Sequence, residues 1–299
     1  MNVTIFGASG FIGKHLFGKF SQDKKFRTTG YSSRTCNLLC LSQVMSTLSS
    51  ADSGGALVIV SGIRRETDNS FDAMSDNLKM ISNCCQAIIA TDVQHVTYLS
   101  AVGVYGAHVS SDVSITESTL PQPDDHYSLA KYASERLLFT CCEQRDIPVT
   151  VFRLPGVYGP GDRFHSTVGR LLECALKEKQ IVIHGDGSQL RDYLFVEDIA
   201  SYVQMAVIHK KNVLANLCTG TSVSVKAMAE QVSGLMPYRV KICHKSAYTS
   251  DRRMPKNLQF DRSLLDNEFS GVHTTDLMAG IKTYVSSVNL SSTSQQAER

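Results

Sequence analysis

Tyr127 and Lys131 stand four residues apart in the run Tyr127-Ser128-Leu129-Ala130-Lys131. On a helix that spacing puts a phenol and an ammonium on one face. A phenol, with an unperturbed pKa of about 10, is a weak acid or base at neutral pH. A neighbouring ammonium favours its anion and brings it closer to use in proton transfer. The same ammonium can hold a ribose hydroxyl. The Y-x-x-x-K spacing is common on protein surfaces, so its meaning depends on what else the chain supplies.

The N-terminal glycines supply it. Gly7-Ala8-Ser9-Gly10-Phe11-Ile12-Gly13 follows the short apolar run Val3-Thr4-Ile5-Phe6 and precedes a segment with Leu16, Phe17 and Phe20 on one helical face. Gly7 permits a tight turn, Gly10 lets the backbone approach a pyrophosphate, and Gly13 lets helix and strand pack closely. With Ser9, Phe11 and Ile12 between them, these residues present free N–H groups and a partial positive charge to an anion. The pattern predicts a dinucleotide-binding loop. An acid ending the second strand would bind the 2′-hydroxyl of NAD. The stretch Gly30-Tyr31-Ser32-Ser33-Arg34-Thr35 has none. Ser32, Ser33 and Arg34 suit a 2′-phosphate instead, which favours NADP(H) over NAD(H).

The elements that must position these groups alternate. Arg27 to Tyr31, Ala56 to Val60, Val96 to Ser100 and Val149 to Leu154 read as strands. The Ala56 run and the Val149 run are apolar throughout, as buried parallel strands require. Met74, Leu78, Ile81 and Cys85 repeat at helical spacing within 71–90, and Ser128 to Cys142 reads as a further helix. The alternation predicts an α/β fold, a Rossmann-type doubly wound parallel sheet with a smaller C-terminal substrate-binding lobe. Residues 1–155 form the nucleotide-binding part and 156–290 the lobe, interleaved with the sheet. Helices are expected over 226–235 and 276–285, and the serine-rich stretch 291–299 reads as a flexible tail.

Composition narrows the field. Thirty basic and 28 acidic residues give a net charge of +2, no footprint for nucleic acid or an anionic membrane. No apolar run is long enough for a membrane span, and the N-terminus lacks the pattern of a signal peptide. The nine cysteines have no metal-ligand spacing, so no metal is expected. They read as small buried hydrophobes of a cytoplasmic protein.

Taken together, the sequence resembles the extended short-chain dehydrogenases/reductases of the nucleotide-sugar epimerase/dehydratase group. The likeness spans nearly the whole chain. It runs through the glycine loop, Asn77, Ser100 to Gly106, Tyr127 to Lys131 and Arg153 to Gly161. It ends with Gly185-Asp186-Gly187, Arg191-Asp192-Tyr193 and Val196-Glu197-Asp198. The resemblance implies NAD(P) chemistry on a nucleotide sugar, with Tyr127 as proton donor or acceptor and Lys131 lowering its pKa. It implies further cofactor contacts from Ser61, Gly62 and Pro155. Substrate contacts are implied from Val102, Arg191, Arg252, Arg253 and Asn257, with Arg191 and Arg252 or Arg253 as pyrophosphate candidates. Family members commonly dimerise through the Tyr-bearing helix and its neighbour. Here Leu137, Leu138, Phe139 and Cys141 with Ile81, Cys84 and Ile88 would make a homodimer face, or pack on the sheet.

The departures from the pattern are informative. Ala101 stands where the family has a catalytic Ser or Thr, and the adjacent Ser100 should face the other side of its strand. Val102 and Gly103 stand where the 4,6-dehydratases have an Asp and a Glu, which ranks dehydration low. Arg253 to Asp261 resembles a segment of 4-keto-sugar reductases. The leading expectation is an NADPH-dependent reductase of a nucleotide-linked 4-keto-6-deoxysugar. An NAD-dependent 4-epimerase is the alternative, and a non-catalytic NADP-binding module the third.

Overall fold

The computed structural model describes residues 1–50, 55–107, 114–246 and 257–297. The first half runs β1 (Asn2–Phe6), α1 (Phe11–Gln22), β2 (Arg27–Tyr31), α2 (Leu41–Leu48), β3 (Gly55–Ile59), α3 (Phe71–Ile89), β4 (His95–Ala101), a 3-10 turn (Val102–Tyr105), α4 (His126–Glu143) and β5 (Val149–Leu154). The second half runs β6 (Gly156–Tyr158), α5 (Thr167–Glu178), β7 (Gln180–His184), β8 (Leu190–Phe195), α6 (Val196–Ile208), β9 (Val213–Asn216), β10 (Ser222–Ser224), α7 (Val225–Gly234), β11 (Lys241–Lys245), α8 (Ser263–Glu268) and α9 (Leu277–Ala297).

Six strands form one sheet in the order β2-β1-β3-β4-β5-β9, every pair parallel. Strands β3 and β5 are buried at every position, which is why they read as unbroken apolar runs. One face of the sheet is covered by α1 and α6, through Leu16, Phe20, Ile199 and Val203. The other is covered by α2, α3 and α4, through Val44, Ile81, Ile88 and Leu138. This is the doubly wound parallel architecture expected. Helix α2 was not read from the sequence, although Val44 and Leu48 have the four-residue spacing of its buried face.

The remaining strands build the smaller lobe, as sheets β10-β8-β6 and β11-β7 packed with α5, α7 and α9. Between them α6 and β9 return to the large sheet, so the chain on both sides of position 155 contributes to it. The last helix is longer than the 276–285 expected and runs to Ala297, into the stretch read as a tail. No Gly or Pro interrupts it after Gly280, and serines in it bond back along the helix, Ser286 Oγ to the Lys282 carbonyl at 3.0 Å.

Of the residues considered for a dimer face, Ile81, Cys84, Ile88, Leu138 and Cys141 pack into the core beneath the sheet. Leu137 is 41% exposed. No helix of the described residues is long and apolar enough to cross a membrane.

Candidate active site

The C-terminal ends of β1, β3 and β4 meet the start of α4. At the end of β1, Gly7 has φ +92°. Its N–H and that of Ala8 both donate to the Tyr31 carbonyl, at 2.8 and 3.0 Å. A Cβ on Gly7 would stand 2.8 Å from the Ser61 nitrogen, and one on Gly13 would overlap the Gly7 carbonyl. Helix α1 then begins at Phe11, with Gly10 as N-cap, no side-chain cap and no acid in its first turn. The N-terminus is thus open to an anion over a cradle that any side chain would fill, and it fits a dinucleotide pyrophosphate. Ser9 and Gly10 are exposed at its rim, while Ile12 packs inward.

After β2 the chain turns sharply. Ser32 N–H donates to Thr35 Oγ1 at 2.9 Å, and Cys36 N–H to the Ser32 carbonyl at 2.9 Å. The turn leaves Ser33 and Arg34 exposed.

Gly62 links the loop to the Tyr127–Lys131 pair. A Cβ there would lie 3.4 Å from Asn77 Oδ1 and 3.8 Å from Lys131 Nζ. Asn77 clamps the segment after β3, accepting the Ile63 N–H at 2.8 Å and donating to its carbonyl at 3.0 Å. Lys131 is 8% exposed. Its Nζ donates to the Leu99 carbonyl at 2.8 Å and lies 4.6 Å from the Tyr98 ring centre. Burial pulls its pKa down to about 8, with Glu135 acting against that shift.

Tyr127 is half-buried in the first turn of α4, a helix capped by Asp125, which accepts the Ser128 N–H at 2.9 Å. Asn69 accepts the Tyr127 N–H at 2.9 Å. The Lys131 ammonium lies 5.8 Å from the Tyr127 ring centre, as the spacing predicts. The expected lowering of the phenol does not follow. Burial pushes its pKa up to about 12; Glu66 and Asp125 push the same way, and Arg65 and Arg64 oppose them. Burial is the largest effect, and the Lys131 ammonium is bonded to the Leu99 carbonyl.

Ala101 closes β4 and Val102 and Gly103 open the 3-10 turn; both elements pack on α4, and none of the three residues has a hydroxyl or carboxylate. Ser100 donates to Glu135 Oε1 of α4 at 2.5 Å and is 3% exposed, so its hydroxyl is committed inside the core. Val102 packs on the small apolar cluster of Val104, Tyr105, Ile115, Leu258 and Phe260. Pro155 follows β5, half-buried.

On the lobe side, Arg191 lies on β8 opposite Val223 and donates from Nη1 to the Leu190 carbonyl at 2.7 Å. Burial pulls its pKa down. Asn257 Oδ1 accepts the Leu190 N–H at 3.1 Å, so its side chain ties that segment to β8 beside Arg191. Arg252 and Arg253 lie outside the described residues. The structure therefore gathers Gly7, Gly13, Ser61, Gly62 and Lys131 at one place and Arg191 with Asn257 at another. The sequence reading missed Arg65, Asp125 and Asn69. For Arg65 the signal was the charged run Arg64-Arg65-Glu66 shortly after a buried strand; Asn69 and Asp125 had none of that kind.

Residues 3–217 match the model of the NAD dependent epimerase/dehydratase family. The chain belongs to this family. Among relatives, it is 25% identical over 265 residues to the uncharacterized UDP-glucose epimerase YtcB of Bacillus subtilis, covering 78% of this chain and 83% of that one. It is 22% identical over 272 residues to the GDP-6-deoxy-D-talose 4-dehydrogenase of Aggregatibacter actinomycetemcomitans, covering 89% and 90%. Its fold is similar to that of the Thermotoga maritima UDP-glucose 4-epimerase, solved with UDP-glucose. The TM-score is 0.87 at 20% identity, over 97% of this chain and 99% of that one. Family members are NAD(P)-dependent enzymes of nucleotide sugars, and the glycine cradle and the Tyr127–Lys131 pair both lie within the matched residues.

Proposed function

We propose that this chain is an NADPH-dependent reductase of a nucleotide-linked 4-keto-6-deoxysugar, supplying sugar precursors for surface polysaccharide in the cytoplasm. The observation that carries the reading is that Ala101, Val102 and Gly103, on elements packed against the helix of an intact Tyr127–Lys131 pair, have neither hydroxyl nor carboxylate. That arrangement keeps a proton donor and lacks the carboxylates an elimination needs.

Gly7, Gly10 and Gly13 would hold the pyrophosphate, Ser61 and Gly62 the adjoining segment, and Lys131 the nicotinamide ribose. Ser32, Ser33 and Arg34 would take the 2′-phosphate. When bound, the reduced nicotinamide supplies a hydride to C4 and is itself oxidised, while the carbonyl electron pair moves to oxygen and takes a proton. Tyr127 gives that proton from its phenol and is left as phenolate, to be reprotonated from solvent. A pKa of about 12 in the free protein keeps the phenol loaded before the step. Arg191 would pair with the diphosphate through its planar fork. The Aggregatibacter relative supports this reading, because dehydrogenation at C4 of a 6-deoxysugar is the reverse of the step proposed.

A 4-epimerase is the second reading, favoured by the Bacillus relative's name. It regenerates its cofactor at each turnover and would be purified with it bound, whereas a reductase must exchange it.

The test mixes purified protein with NADPH or NADH and a panel of nucleotide 4-keto-6-deoxysugars, following absorbance of the reduced nicotinamide. Oxidation requiring both NADPH and one sugar, and lost in Tyr127→Phe, is expected. Full turnover in Tyr127→Phe would overturn the mechanism. Tightly held cofactor with interconverting sugar isomers would replace it by epimerisation.

A further inference from the structure

A cation stands beside the Tyr127 ring. Arg65, in the loop between β3 and α3, places its guanidinium carbon 5.7 Å from the centre of the Tyr127 ring. Its Nη2 is 2.6 Å from Asp125 Oδ2 and donates to Ser128 Oγ at 2.7 Å. Asp125 is also the cap of α4, so the guanidinium is fastened to the first turn of the helix that carries Tyr127. The loop itself is pinned on both sides of Arg65, by Asn77 on Ile63 and by Asn69 on Tyr127. The Arg65 side chain is 33% exposed, and its Nε is buried with no hydrogen-bond partner among the described residues. A buried donor without a partner among the described residues calls for an acceptor from elsewhere.

Gly103 makes the room for it. A Cβ at 103 would stand 2.8 Å from Arg65 Nη2 and 2.5 Å from Ser128 Oγ. The guanidinium thus occupies the space that a side chain at position 103 would fill. Residues 101–103 have no side-chain donor, and Ser100 is committed to Glu135. The charged groups acting on the phenol from the loop are Arg64, Arg65 and Glu66, and from α4 Asp125. Lys131, also on α4, is held on the Leu99 carbonyl.

We propose that Arg65 is the charge-stabilising group of the reaction end. Its guanidinium holds negative charge on the Tyr127 phenolate and on the sugar oxygen that Tyr127 protonates, in place of the hydroxyl absent at Ala101. The identity of that oxygen rests on the reductase reading; the action on Tyr127 does not. A guanidinium suits the task because it stays charged throughout and offers several donors in a fixed plane. Fixed in advance by Asp125 and Ser128, it acts without reorganising as charge develops.

The test uses the full chain with Arg65→Met, Arg65→Lys, and Arg65→Met combined with Ala101→Ser. Arg65→Met should lower kcat about 100- to 1,000-fold, the usual loss for one fixed donor at a developing oxyanion, with KM changed little. Arg65→Lys should regain part of the loss, and Ala101→Ser should regain part of it in the Arg65→Met background. A second readout needs no substrate. In protein labelled with 3-fluorotyrosine, whose phenol ionises at a more accessible pH, the Tyr127 fluorine resonance is assigned by its loss in Tyr127→Phe. Arg65→Met should move its titration to higher pH, because losing a cation disfavours the phenolate.

Unchanged kcat in Arg65→Met, while Tyr127→Phe abolishes turnover, overturns the Arg65 role and leaves the reductase reading standing. A Tyr127 titration that does not move overturns the role whether or not a substrate is found. An upward shift with no turnover across the panel supports Arg65 at Tyr127 and overturns the reductase reading.

Discussion

Glu135 grips Arg153 at two points, Nε donating to Oε1 at 3.1 Å and Nη2 to Oε2 at 2.7 Å. Both side chains are 3% exposed or less. Ser100 adds its hydroxyl to the same Oε1, and the Arg153 guanidinium lies 4.8 Å from the Tyr105 ring centre. Tyr105 then donates to Asn216 Oδ1 at 2.7 Å. The network joins α4, β4, β5 and β9. It also reaches Lys131, because Glu135 is one turn beyond it and supports its ammonium against burial.

Glu135→Gln should therefore have two effects. Leaving Arg153 charged and unpaired costs about 3–5 kcal/mol, measurable by urea unfolding. Lys131 also loses its anionic neighbour, so its pKa drops below about 8. The ammonium is lost as pH rises through that value, so the alkaline limb of kcat should move to lower pH. Loss of stability with an unmoved limb would separate Glu135 from the chemistry.

Gly13 and Gly18 lie on the same helix and should respond oppositely to alanine. A Cβ on Gly13 overlaps the Gly7 carbonyl, whereas one on Gly18 meets nothing within 4 Å. Gly13→Ala should cost about 1–3 kcal/mol of stability and weaken NADPH binding, read by nicotinamide fluorescence. Gly18→Ala should raise stability by about 0.5–1 kcal/mol with binding unchanged. Equal responses would mean that the cradle does not set the approach of the pyrophosphate.

Arg34 is exposed after β2 and has no hydrogen bond or ion pair to other described residues. If it binds the 2′-phosphate, Arg34→Gln removes a charge-assisted contact of about 1.5–3 kcal/mol. NADPH affinity should fall by about tenfold or more, with NADH affinity unchanged. Calorimetric titration with both cofactors decides this, and an equal change in the two would make NADP selectivity the wrong reading.

The legible parts of this protein were those fixed by local pattern. Val58 and Val151 sit in runs whose burial on both faces is the reason they are apolar, and Gly7 and Gly13 sit where backbone geometry excludes other residues. Tyr127 and Lys131 share a face because four residues make about one turn. What sequence did not show depends on residues distant along the chain. Arg65 reaches Ser128 across 63 positions, and burial outweighs the cations near Tyr127. Ile81 and Leu138 carry the period of an amphipathic face, but the period does not say whether a sheet or a second subunit covers it; here the sheet does. Asn257, singled out for substrate, has its carbonyl oxygen on the Leu190 backbone.

His95 gives a last prediction, on acid stability. It opens β4 at 1% exposure, with Nε2 3.1 Å from the Lys211 carbonyl and 3.2 Å from Thr150 Oγ1. The carbonyl can only accept, so Nε2 carries the hydrogen. Burial pulls the ring's pKa down to about 4, and Lys210 acts in the same direction. An unfolded histidine titrates near about 6.5. Between those values the unfolded chain binds a proton that the folded chain refuses. Stability is therefore full above about pH 6.5 and falls as pH drops toward 4, by up to about 1.4 kcal/mol per pH unit from this group. His95→Asn removes the titration and should flatten the dependence across that window, at the cost of lower stability at pH 7. Urea midpoints at pH 7, 6 and 5, compared between the two proteins, measure it; parallel slopes would assign the acid sensitivity to other groups.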